Sequence, residues 1–192
     1  MIKLAIIRHG HTPWNRAGQI QGRTDIALED KAAADLAAMA LPDDWQQADL
    51  VASPLKRAVQ TARLISGRNP TTAAALIEMD WGDWEGRKGL ALKADQDSGF
   101  RDIEDWGWDY RPPNGESPRE VSARLQPWLE TLHQDTIAVC HIGIMRVLLA
   151  QATGWNFDGA APFQVKRNRL YVMELDKGKL TLTGDPVRLV AR

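Results

Sequence analysis

The chain opens on an unbroken apolar run, Leu4-Ala5-Ile6-Ile7, that stops abruptly at Arg8-His9-Gly10. Such a run predicts a strand covered on both faces. The same signal recurs at Asp49-Leu50-Val51-Ala52, across Ala73 to Met79, and at Thr136-Ile137-Ala138-Val139-Cys140. Between these runs the period changes. Glu29 to Ala40 sets Ala32, Ala33, Leu36 and Met39 at helical spacing, with Pro42 as its close. Ser53-Pro54 reads as an N-cap and a first helical residue, opening a helix that runs to Ser66 and stops at Gly67. Glu116 to Leu132 is amphipathic through Val121, Leu125, Trp128, Leu129 and Leu132, and Pro127 predicts a kink in it. Gly143 to Thr153 is a further helix, closed by Gly154. Leu170 to Leu175 and Leu180 to Thr183 form a hairpin around Asp176-Lys177-Gly178. Arg16 to Ile26 is a loop, and Arg87 to Gly115 is irregular, ending in the turn Pro112-Pro113-Asn114-Gly115.

Strands that alternate with helices imply parallel pairing. The expectation is an α/β fold: a three-layer α/β/α sandwich with a mostly parallel central sheet and a C-terminal hairpin. No repeat, low-complexity tract or linker interrupts residues 1–192, so one domain is expected.

Composition narrows the partners. The formal net charge is −1, so no global field draws the protein to nucleic acid or an anionic membrane. Any attraction for an anion must be local. The single cysteine, Cys140, excludes an intramolecular disulfide and fits a reducing compartment. The apolar stretch before Arg8 is too short for a signal peptide, and no run reaches membrane-spanning length, so a cytoplasmic location is expected. The composition leaves a homodimer open.

In a parallel sheet, ligands gather at the carboxyl ends of the strands. The residues just past the four predicted strands are Arg8 and His9, then Ser53 to Arg57, then Glu78, then His141. Two guanidinium forks suit a phosphate group. An imidazole of ordinary pKa, about 6.5, is largely neutral and nucleophilic at neutral pH. A protonated carboxyl group can hand its proton to a leaving oxygen. His9 and His11 alone are too few ligands for a metal site, and none is expected. Gln21 and Gly22, on the loop after the first strand, are candidate substrate contacts. Trp14, Trp81 and Trp84 adjoin the proposed site residues, and tryptophans at such positions serve as core or as pocket wall. Arg87 and Lys88 read as solvated, with contact to a second anionic group as the alternative.

The motifs Arg8-His9-Gly10-x-Thr12-x-x-Asn15, Ser53-Pro54-x-x-Arg57-Ala58-x-Gln60-Thr61-Ala62, Glu78 ahead of Gly82-Asp83-Trp84-Glu85-Gly86, Gly115-Glu116-Ser117, and His141 after a strand resemble the histidine phosphatase (phosphoglycerate mutase-like) family. The resemblance implies that His9 attacks phosphorus and becomes a phosphohistidine. It implies that Arg8, Arg57 and His141 hold the phosphoryl oxygens, that Asn15 adds a hydrogen bond, and that Glu78 is the acid and then the base. It implies no cofactor and a small phosphorylated metabolite as partner, with the short chain resembling the phosphatase branch. A phosphoglycerate mutase and a non-catalytic phosphate-binding module are the alternatives. The chain departs from the family pattern at His141-Ile142, where His-Gly is common. It departs again at Asp25-Ile26-Ala27-Leu28-Glu29-Asp30-Lys31-Ala32, where the family often has Asp-x-Pro-Leu-Thr-x-x-Gly. A positive φ is unfavourable for isoleucine, so a different path for the His141 loop is expected.

Overall fold

The opening run forms strand β1 (Ile2–Arg8) in the interior of the sheet of the computed structural model, which describes residues 1–192. After it come α1 (Pro13–Arg16), α2 (Asp30–Ala37), β2 (Met39–Ala40), β3 (Asp49–Ala52), α3 (Lys56–Ser66), β4 (Thr71–Thr72) and α4 (Gly89–Ala94). The second half adds α5 (Pro118–Glu130), β5 (Thr136–Cys140), α6 (Ile142–Thr153), β6 (Arg169–Asp176), β7 (Lys179–Leu182), β8 (Val187–Arg188) and β9 (Val190–Ala191). The main sheet has the order β4-β3-β5-β1-β6-β7, with β8 beside β6. β4, β3, β5 and β1 are parallel, whereas β6 is antiparallel to β1 and β7 to β6.

Helices cover both faces, which is why the strands read as continuous apolar runs. Leu4 and Ile6 face a cluster that contains Val121 and Leu125 of α5 and Leu148 of α6. Ala5 and Ile7 face the other way, toward Leu36 of α2 and Ala58, Ala62 and Ile65 of α3. β5 is buried along its whole length. No helix is long and apolar enough to cross a membrane.

Several expectations need correction. Ala73 to Met79 is not a strand. β4 is the two residues before it, followed by a single 3₁₀ turn at Ala74–Leu76. The reason is visible in α5: the Arg124 guanidinium donates to the carbonyls of Ala75, Ile77 and Glu78, which a ladder would otherwise use. Ser53 is not an N-cap. α3 starts at Lys56 without a side-chain cap, and Asp25 accepts from the Lys56 amide at 2.7 Å. The helix expected to reach Ala40 ends at Ala37, and Met39 and Ala40 instead pair with β9. Pro127 lies inside α5, which continues past it to Glu130. The closing hairpin is as expected. Lys177 and Gly178 both take positive φ, 47° and 78°, which is the geometry of a two-residue turn with primed twist. Ile142 has no positive φ; it is the first residue of α6.

Candidate active site

Strand register assembles the site. Arg8 lies opposite Cys140, so His9 and His141 leave adjacent strands side by side, with ring centroids 5.1 Å apart. Ser53 follows β3 on the far side of β5, and its hydroxyl meets His141 Nε2 at 2.7 Å. Arg57, in the first turn of α3, donates from Nε to His141 Nδ1 at 3.3 Å. Nδ1 is therefore the acceptor, and Nε2 carries the proton and donates to Ser53. The other Arg57 nitrogens donate to the carbonyls of Gly22 (2.6 Å) and Thr24 (2.9 Å).

His9 is held just as closely. Its Nδ1 meets the Gly10 carbonyl at 2.6 Å, and a carbonyl only accepts, so Nδ1 carries the proton. Nε2 is left as the nitrogen with a free lone pair. Only 3% of the residue is exposed. Burial, with Arg57 and Arg8 beside it, holds the imidazole well below its usual pKa and keeps it neutral.

Glu78 reaches the same cavity from the loop beyond β4. Its carboxyl oxygens accept from the amides of Met79 (2.7 Å) and Gly143 (3.2 Å). Burial raises its pKa, and those two hydrogen bonds only partly offset the rise. The loop is strapped down by charge. Glu116 accepts from the Asp80 amide and from Arg124, and Arg23 bridges Asp80 and Glu116. Gly143 approaches closely: a Cβ there would sit 2.5 Å from Glu78 Oε1 and 3.0 Å from Met79 Cβ. Gly143→Ala is expected to cost about 1–3 kcal/mol of stability through overpacking. It is also expected to lower turnover by displacing Glu78. Thermal melts and phosphate-release kinetics read the two effects, and a variant matching the parent in both removes the close-approach argument.

The cavity, about 210 Å³, is walled by Arg8, His9, Asn15, Gln21, Glu78 and Trp81, with Gln19, Ile20, Gly89, Phe100 and Ile142 around the rest. Three donors on its lining residues lack partners: Arg8 Nε, Gln21 Nε2 and Trp81 Nε1 are buried and unbonded. Buried polar atoms are rarely left so, and three donors with no acceptor suit an anionic ligand. Burial and Arg167 lower Arg8 to about 9, so it is still charged at neutral pH. Gln21 Oε1 is held by Thr12 and Asn15, which aligns its amide.

The structure thus brings Arg8, His9, Asn15, Gln21 and Glu78 to one cavity. Arg57 and His141, both 0% exposed, stand behind His9 and not on the wall. Gly22 is off the wall too; its carbonyl is a rest for Arg57. Trp81 lines the pocket, whereas Trp84 belongs to the core with Phe100 and Trp106. His11 has no set of three metal-ligating side chains around it. Arg167 joins the site without any mark in the sequence. It donates to the His9 carbonyl and to Asn15 Oδ1, and no motif spacing marked it.

The family model for the histidine phosphatase superfamily (branch 1) matches residues 4–184, and the chain belongs to that family. Among curated relatives, the probable phosphoglycerate mutase GpmB of Erwinia tasmaniensis is 31% identical over 134 residues, 68% of this chain and 62% of that protein. Fructose-2,6-bisphosphatase TIGAR B of Danio rerio is 33% identical over 140 residues, 68% of this chain and 53% of that protein. The matches thus span less than two thirds of either relative. Among solved structures, TTHB049 from Thermus thermophilus is 27% identical with a TM-score of 0.72, covering 98% of this chain and 99% of that one. Mutase-like proteins and phosphatases both stand among the relatives.

Proposed function

We propose that the protein is a phosphomonoesterase that hydrolyses a small phosphorylated metabolite through a phosphohistidine on His9, without a metal. The observation that carries this reading is the pairing in one cavity of an imidazole locked with Nε2 unprotonated and a carboxyl whose pKa is raised. In the first step Nε2 forms a bond to phosphorus while the ester P–O bond breaks, and the Glu78 proton goes to the leaving alcohol. In the second, Glu78 takes a proton from water, the water oxygen bonds to phosphorus, and the N–P bond breaks. Arg8 and Arg57 supply the positive charge that stabilises the transferring group, the main requirement of phosphoryl transfer. Asn15 and Gln21 orient it, and His141 braces Arg57.

The test is phosphate release from a panel of phosphomonoesters, with kcat/KM followed across pH. His9 must be neutral, and its lowered pKa carries the acid limb well below pH 6.5. Glu78 must be protonated, and its raised pKa carries the alkaline limb above the ordinary carboxylate value of 4.5. The profile is therefore expected to be a bell, with His9 setting its acid limb and Glu78 its alkaline limb. Glu78→Gln should remove the alkaline limb and lower kcat about 10²–10⁴-fold on alkyl esters. An unchanged profile in that variant overturns the acid assignment, and no release from any ester overturns the reading. The named mutase relative supports a second reading, which exchange of phosphate between positions of a phosphoglycerate detects.

A further inference from the structure

Arg167 lies just ahead of β6, and Asn168, at φ 58°, bends the chain between the two. Asparagine tolerates that left-handed geometry. β6 is antiparallel to β1, so the residues ahead of it arrive at the end of β1 that carries His9. Arg167 is half-buried there and does not line the cavity. Its Nε donates to the His9 carbonyl at 3.2 Å, which moors the guanidinium to the backbone, and Nη2 donates to Asn15 Oδ1 at 3.0 Å. Both acceptors are neutral oxygens. Burial and Arg16 lower its pKa to about 10, so it is still charged at neutral pH.

A guanidinium can only donate. Asn15 must therefore turn Oδ1 toward Arg167, and the Thr12 amide meets the same oxygen at 3.1 Å. Nδ2 is left for the other side and donates to Gln21 Oε1 at 3.3 Å. The Thr12 hydroxyl accepts from the Asn15 amide and gives its one proton to the same Gln21 oxygen, at 3.0 Å. With Oε1 engaged twice, the free end of the Gln21 amide is Nε2, a buried donor on a cavity-lining residue with no partner. Reversing either amide would set donor against donor. The chain therefore runs one way, from the cation through Asn15 to Gln21, and each bond polarises the next.

We propose that Arg167 is a positioning residue for phosphoryl binding: through Asn15 it fixes which end of the Gln21 amide faces the ligand, and so presents Gln21 Nε2 as a donor to a phosphoryl oxygen. Arg167 itself touches neither the substrate nor the reacting atoms. The assignment deepens the phosphomonoesterase reading and rests on it for turnover, though not for the binding of a phosphate-like anion.

The experiment is a double-mutant cycle between Arg167 and Gln21, read by kcat/KM on a phosphomonoester and by calorimetric affinity for orthovanadate. Gln21→Met removes the terminal donor and should lower both about 10–100-fold, the effect of one hydrogen bond to a charged group. Arg167→Met frees the chain to reverse and should lower both about tenfold, since the Gln21 donor is then misdirected for most of the time. The double variant should fall within about threefold of Gln21→Met alone, because the second change has nothing left to act on. A merely structural arginine, or one acting only through its charge, would multiply the two losses. Should Arg167→Met fail to fold, Arg167→Lys carries the same cycle; one ammonium replaces the fork, and a loss of about threefold should again vanish in the Gln21→Met background. Losses that multiply overturn the proposal, as does an Arg167→Met protein that matches the parent in both readouts. If no ester is hydrolysed, the phosphatase reading falls, and the vanadate affinities still decide the relay. A parent protein that binds no vanadate loses both.

Discussion

His9→Ala is expected to lower phosphate release by about 10⁴-fold or more, the usual consequence of removing a nucleophile that no neighbour can replace. His141 is no substitute. It is fully buried, and both of its ring nitrogens are engaged, by Arg57 and by Ser53. The loss should not be a folding defect, because the His9 ring makes a single hydrogen bond, to its own neighbour's carbonyl. The sharper readout is covalent. Rapid quench of the parent protein into alkaline detergent with labelled substrate should trap an acid-labile, base-stable phosphoprotein, and the variant should give none. Labelling that persists in His9→Ala, or turnover near the parent's, removes His9 from the centre of the mechanism.

Arg57→Ala is expected to be the next most damaging change, and for two separable reasons. The charge beside His9 goes, lowering kcat by about 10²–10³-fold, as loss of one preorganised stabilising donor does elsewhere. The same truncation strands the carbonyls of Gly22 and Thr24. Gly22 is buried, and a buried acceptor left without a donor costs about 1–3 kcal/mol, so the melting temperature should fall as well. Arg57→Lys should restore little of either, because one ammonium cannot reach Gly22, Thr24 and His141 together as the planar fork does. A variant as stable as the parent, or one rescued by lysine, contradicts this account of the loop between Gly22 and Thr24.

The strands and the residues at their ends were legible because burial on both faces writes an unmistakable apolar run, and because the parallel register carries such runs to one edge. Arg8, His9 and His141 followed directly. Glu78 lines the cavity, though not from the end of a strand. Its segment reads as a strand by hydrophobicity, but Arg124 takes the backbone carbonyls, and a side chain 46 residues away leaves no periodic trace. Ser53 misled for a related cause. A serine before proline is a capping signal, but here the hydroxyl reaches the Leu55 amide only at 3.4 Å, lies closer to His141, and the helix begins at Lys56. Arg167 leaves no sign in the sequence, since a lone arginine on a loop looks solvated until its partners, the His9 carbonyl and Asn15, are in place. The isoleucine after His141 was less consequential than expected, because helix α6 begins there in ordinary right-handed geometry and the close approach falls one residue later, at Gly143.

The two halves of the site hang from parts of very different tenacity. His9 follows a strand flanked on both sides by others, whereas Glu78 follows a two-residue edge strand and is kept in place by Arg23, Glu116 and Arg124. Fraying begins at edges. On the proposed mechanism, a molecule loosened only there keeps its phosphate-accepting nitrogen and loses its proton donor. It can still be phosphorylated by esters whose alcohols depart unaided, such as activated aryl esters, and fails first on the aliphatic esters that need help to leave.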